Sequence, residues 1–113
     1  MIVRVDLTTV PAVVTLEEPD DCRRFHIAVV GGTDRTQAGE ALAATGTGRL
    51  TDGDQAGGPV AAVRVAAVRE LAAGRVGPGW EDDFAAMLDY ARSKGWLDAA
   101  GEAIIAHLEF TPP

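Results

Sequence analysis

Residues 78–95 carry a full set of helix instructions, and they constrain the fold more than any other stretch. Pro78-Gly79 breaks the chain ahead of them. Glu81, Asp82 and Asp83 fill the first turn, where the positive end of a helix dipole favours carboxylates. Trp80, Phe84, Met87, Leu88 and Ala91 recur at helical spacing and make one apolar stripe. Arg92 and Lys94 fall in the last turn, and Gly95 stands where a C-cap glycine belongs. A stripe this wide needs a partner surface. Trp96 and Leu97 are placed to fold back onto it.

The partner is written as alternation. Val3, Val5 and Leu7 share one side of 2–7, with Arg4 and Asp6 on the other, which is the mark of a half-buried strand. Ala12–Leu16 is apolar and β-branched, and a polar turn follows at Glu17–Asp21. Arg24–Val30 is the clearest strand, with Phe25, Ile27 and Val29 against His26, Ala28 and Val30. Short connections predict that these three strands form an antiparallel meander. Glu102–Phe110 reads as a strand or a helix, with the strand favoured. In that form Ile104, Ala106, Leu108 and Phe110 share one face, and Ile105, His107 and Glu109 the other.

The middle of the chain is less clearly patterned. Asp34 and Gln37 have capping-box spacing and predict a short helix from Arg35 to Thr45. The glycine-rich residues 46–58 read as a loop. Gly58-Pro59 resembles a helix start, and 60–73 is expected to be helical up to Gly74. The whole, residues 1–113, is expected to be a single α+β domain. In it a small, mostly antiparallel sheet, built from the N-terminal meander and the C-terminal strand, packs against two or three helices.

Charge narrows the function. The net charge is −7, spread over both halves with no basic stripe, so nucleic-acid and anionic-membrane partners are not expected. No apolar run approaches the roughly 20 residues of a membrane span. Met1–Leu7 lacks the basic and apolar regions of a signal peptide. The lone cysteine, Cys22, rules out an internal disulfide. Cytosol is the expected setting.

The chemistry-bearing residues are few. Cys22 and His26 are four apart, which on a strand separates them by roughly 13 Å, too far for one metal. The glycines at 31–32 and 46–48 lack the spacing of a phosphate-binding loop. Asp52-Gly53-Asp54 lacks the terminal glutamate of a calcium loop, since position 63 is valine. Ser93, the only serine, lies near a helix end and not at a strained turn. The sequence calls for no cofactor and no metal. His107 and Glu109 share a strand face, roughly 6–7 Å apart at Cβ, and a carboxylate beside an imidazole can orient its ring for acid–base work. With His26 on a neighbouring strand they would form a His/His/Glu cluster, the candidate catalytic set. Trp80, Phe84 and Trp96 are the candidate binding residues, on a stripe that serves either as core or as an apolar groove.

Gly77-Pro78-Gly79-Trp80-Glu81-Asp82-Asp83-Phe84, Met87, Tyr90-Ala91, Gly95-Trp96-Leu97-Asp98, Gly101, Ile104 and Ala106-His107-Leu108-Glu109 together form a pattern. It resembles the C-terminal signature of small actinobacterial conserved hypothetical proteins of uncharacterised function. The resemblance implies a bacterial cytosolic protein and no catalytic residue. Two readings of function follow. One is a non-catalytic binding or accessory module, homodimeric through its sheet edges, with a small-molecule or protein partner of unknown kind. The other is a small enzyme or metal-dependent protein using His107, Glu109 and His26.

Overall fold

The computed structural model describes residues 1–55 and 58–112, with side chains described at all of these except 52–55 and 58. In chain order the elements are β1 (Ile2–Asp6), β2 (Val13–Glu17), β3 (His26–Val30), α1 (Arg35–Ala44), β4 (Gly48–Gln55), β5 (Gly58–Arg64), α2 (Val65–Ala72), α3 (Trp80–Ser93) and β6 (Ala103–Thr111). Among the described residues the strands make one curled mixed sheet in the order β2-β1-β3-β6-β5-β4. With three helices the protein is α+β, and three of its five strand ladders are antiparallel.

Alternation explains the layering. Val3 and Val5 of β1, Ile27 and Val29 of β3, and Ile104, Ala106 and Leu108 of β6 turn to one face and are buried. Ala38 and Leu42 of α1, Val68 and Ala72 of α2, and Trp80 and Phe84 of α3 complete the same apolar cluster, so the helices cover that face. Each large apolar side chain sealed there contributes about 1.5–3 kcal/mol relative to exposure. Arg4, His26, Ala28, His107 and Glu109 occupy the opposite face and stay half-exposed or exposed.

The N-terminal strands are not a meander. β1 lies between β2, its antiparallel neighbour, and β3, its parallel neighbour. Glu17 and His26 both stand beside Ile2, so residues 18–25 must pass around the start of β1. The Met1 nitrogen donates to the Asp21 and Arg24 carbonyls at 2.7 and 3.0 Å, which holds that connection in place. Alternation tells each strand its buried face but not its neighbour.

The middle of the chain departs further from expectation. Asp34 caps α1 as its sequence predicts, its carboxylate accepting from the Thr36 N–H at 2.8 Å. Residues 46–58 are not a loop: β4 and β5 occupy most of them as an antiparallel pair, with an irregularity between Leu50 and Asp54. Gly48 is required there, because a Cβ on it would collide with the Ala62 carbonyl. Residues 56 and 57, and the Asp52 and Asp54 carboxylates of the calcium-loop pattern, lie outside the described part. The helix expected over 60–73 begins only at Val65. Val60, Ala61, Ala62 and Val63 are all buried in β5, between β4 and β6. A strand buried on both faces shows no alternation, and its valines and alanines match a helix equally well. Arg64, at the N-cap of α2, makes no side-chain cap bond, so no residue type marks the switch.

Candidate functional site

β6 changes neighbours midway, and both candidate regions lie at that change. Its residues 103–107 pair with β5, and 108–111 pair in parallel with β3. Just before the first β3–β6 pair, Ile27 opposite Leu108, stand His26 and His107. Their rings stack with centroids 5.6 Å apart and planes at 17°. Glu109, one alternation further along β6, reaches back to both. Its Oε2 lies 2.9 Å from His26 Nε2, and its Oε1 lies 3.7 Å from His107 Nε2. The structure therefore brings the three residues of the candidate catalytic set together.

The cluster's surroundings limit what it can do. His26 is mostly covered, with 19% of its side chain exposed, while Glu109 is 60% exposed on the open sheet face. No serine or cysteine joins the cluster: Ser93 sits on α3 and gives its hydroxyl proton to the Tyr90 carbonyl at 2.7 Å. Among the described residues, no group of three or more His, Cys, Asp or Glu side chains has the arrangement to hold a metal ion. What remains is an imidazole held against a carboxylate, which is half of an acid–base pair.

A cleft of about 780 Å³ opens beside this seam. Gly95, at φ +76°, reverses the chain after α3, and the Trp96 N–H donates back to the Ala91 carbonyl at 2.8 Å. Trp96–Asp98 then runs against the start of β6, with the Ile105 N–H donating to the Trp96 carbonyl at 2.6 Å and Leu97 bridging Ile104. On the other side, residues 20–25 lead into β3. Between them α3 presents Met87, Tyr90 and Ala91. The apolar lining is Phe25, Met87, Tyr90, Trp96, Ile104 and Ile105; Asp20, Asp21, Arg23, Arg24 and Asp83 are the charged residues of the lining. Tyr90 is 57% exposed and meets Trp96 edge-to-face at 6.0 Å. His26, His107 and Glu109 do not line the cleft, although Phe25 and Ile105 are their near neighbours along the chain.

The candidate binding residues divide. Trp96 lines the cleft. Trp80 and Phe84 are core instead: they stack at 4.7 Å, are 7% and 0% exposed, and the Trp80 indole N–H donates to the Pro19 carbonyl at 2.7 Å. A ligand on the surface meets neither. Sequence reasoning missed the 20–25 wall, because a polar turn gives no sign that it will wrap past a strand and face a helix. Cys22 lies in that wall. Burial first, and then the Asp83 carboxylate, push its thiol above the ordinary value of 9.0, so at neutral pH it is a protonated side chain and not a nucleophile.

No family model, no curated protein and no solved structure matches this chain.

Proposed function

We propose that the protein is a non-catalytic binding module that takes an apolar or flat group into the cleft between α3 and the β3–β6 boundary. One observation carries the reading: a cleft of about 780 Å³ lined by Tyr90, Trp96, Met87 and Phe25, within the size range of small-molecule sites. A protonated Cys22 offers it no ready nucleophile. A cytosolic setting and a second copy of the chain belong to the same reading. The edge strand β2 carries the exposed Val13, and Val10 lies in the turn before it; both suit self-association.

The test is a titration of the full chain with 2-phenylethanol, followed by amide and methyl resonances. Shifts concentrated on Met87, Tyr90, Trp96 and Ile105, and lost in Trp96→Ala, are the expected outcome. Shifts on the open sheet face, or none anywhere, overturn the reading.

The 2.9 Å approach of His26 to Glu109 favours a second reading, a small enzyme whose base is on that face. It expects a probe to perturb His26 and His107, and Glu109→Gln to abolish whatever turnover is found.

A further inference from the structure

We infer that His26, Glu109 and His107 form a proton-operated clasp that regulates the cleft, tying its two walls together more firmly when the cluster carries a proton. This rests on the binding reading above and adds the regulation of that site. The cluster stands where the walls converge. One wall, residues 20–25, runs straight into His26, with Phe25 in the lining. The other is carried by β6: Ile104 and Ile105 line the cleft, and His107 follows one alternation after Ile105. The β3–β6 register starts at Ile27 and Leu108, so the 2.9 Å approach of His26 Nε2 to Glu109 Oε2 closes the open end of that ladder. Among the described residues it is the one side-chain ion pair that joins residues 20–26 to β6.

Imidazole is the side chain that changes charge between about pH 5 and 8. Neutral, His26 meets the carboxylate only as a dipole; protonated, it makes a charge-assisted pair. Little else competes for that charge. On the same sheet face β1 offers Arg4, which already faces Glu17 of β2 at 3.8 Å and Asp6 at 4.0 Å. Opposite His107, β5 offers the neutral Val60, with Ala62 and Arg64 further along, and β4 sets Arg49 beside Ala62. In the wall itself Asp21 is matched by Arg23 and Arg24, and the Met1 ammonium is held by two carbonyls. Glu109 therefore answers a proton on either ring. A proton on both would set two cations in rings stacked at 5.6 Å, so the clasp gains from one proton and not from two. Fixing the start of β3 fixes Phe25, and a wall held in its bound position binds more tightly.

The experiment titrates 2-phenylethanol into the full chain at about pH 8, 7 and 6. This probe has no charge to change, so any pH dependence belongs to the protein. Cleft resonances should report binding roughly two- to fivefold tighter near pH 6 than near pH 8 at low salt, a modest gain because Glu109 is 60% exposed. High salt should shrink it. By reciprocity, saturating probe at pH 7 should move the His26 ring resonances toward those of the protonated ring. His26→Gln and Glu109→Gln keep polar side chains in place but cannot form the charged pair, and each should flatten the profile. Cleft binding that is equal at all three pH values, or weaker in acid, overturns the clasp and leaves the binding module standing. So does pH dependence that persists unchanged in either variant, which would assign it to the Met1 ammonium, whose pKa burial chiefly lowers from the usual 8.0. No shift in the cleft at any pH overturns both.

Discussion

The two ends of α3 use the same apolar stripe in opposite ways. At the start, Trp80 and Phe84 stack on each other and are sealed against the sheet. At the end, Met87 is half-buried, Tyr90 is exposed, and Trp96 returns to face them across a cleft. The stripe is periodic throughout, so periodicity alone does not separate the ends. What differs is the covering. At the first end the Pro19 carbonyl comes down on the Trp80 indole and the Arg69 guanidinium lies 5.2 Å from the centre of the Phe84 ring. At the second end, residues 20–25 stand off from the helix across the cleft on their way to β3. A helical stripe thus identifies a face, and the loops packed over it decide which part becomes core and which becomes surface.

Truncation of one aromatic at each end breaks this comparison most directly. Phe84→Ala should cost about 3–5 kcal/mol, since a fully buried ring leaves a cavity that its neighbours only partly fill. Tyr90→Ala should cost only about 0.5–1.5 kcal/mol, since this exposed ring loses little more than its edge contact with Trp96. Chemical denaturation of the two variants measures both. Similar losses at the two positions would mean that the open end is as tightly built as the sealed one.

The sealed end can be sharpened with a smaller change. Trp80→Phe keeps most of the stacking area but removes the donor to the Pro19 carbonyl. The expected loss is about 1–2 kcal/mol, because a part-buried carbonyl loses its partner. The same variant should raise amide exchange in residues 18–22 more than in β6, where the indole makes no bond. Uniform loosening would show that the bond does not specifically anchor this connection.

How much of this was legible in the chain follows the same division. α3, β1, β3 and β6 could be read because each buries one face and exposes the other, and burial of one face is what periodicity records. β5 could not, since Val60–Val63 is buried on both sides and offers no polar face to count against. β4 could not either, because Gly48 serves a close approach to Ala62 that exists only once β5 lies beside it. The meeting of His26, His107 and Glu109 was accessible from strand alternation, although the parallel pairing that brings it about was not. The cleft was the least legible feature. Its walls come from residues 20–25 and 83–105, and only the path of the chain around β1 puts them face to face.

Cys22 tests the open end with a probe of its own. Burial and the neighbouring carboxylates hold its thiol above 9.0, so a thiol reagent near pH 8 should label the folded protein several-fold more slowly than the unfolded chain. Asp83→Asn should quicken labelling modestly by removing one of those carboxylates. The linked effect on stability has a definite sign. A thiol whose folded pKa is raised stabilises the fold below its unfolded value, and that contribution fades as pH rises through the folded one. Alkaline unfolding should therefore begin earlier in the wild type than in Cys22→Ala. Labelling as fast in the folded as in the unfolded protein would show that the wall is open to solvent.

The smallest expected effect lies at the acid end and concerns the same wall. The Asp21 carboxylate accepts from the Arg23 N–H at 3.1 Å, and this bond, chiefly, holds its pKa below the ordinary 3.8, with the Met1, Arg23 and Arg24 charges adding to it. A depressed carboxylate contributes stability above its unfolded value and loses it as pH falls through the folded one. Acid should therefore release the 20–25 wall by protonating Asp21, while the Trp80–Phe84 stack is covered by the neutral Pro19 carbonyl and the Arg69 guanidinium, neither of which titrates at acid pH. Amide shifts followed down to low pH should move first at Arg23 and Arg24, with Phe84 unchanged until global unfolding. In Asp21→Asn the early step should vanish. If Phe84 moves together with Arg23 in the wild type, the two ends of α3 melt as one unit, and their difference is one of exposure and not of independent stability.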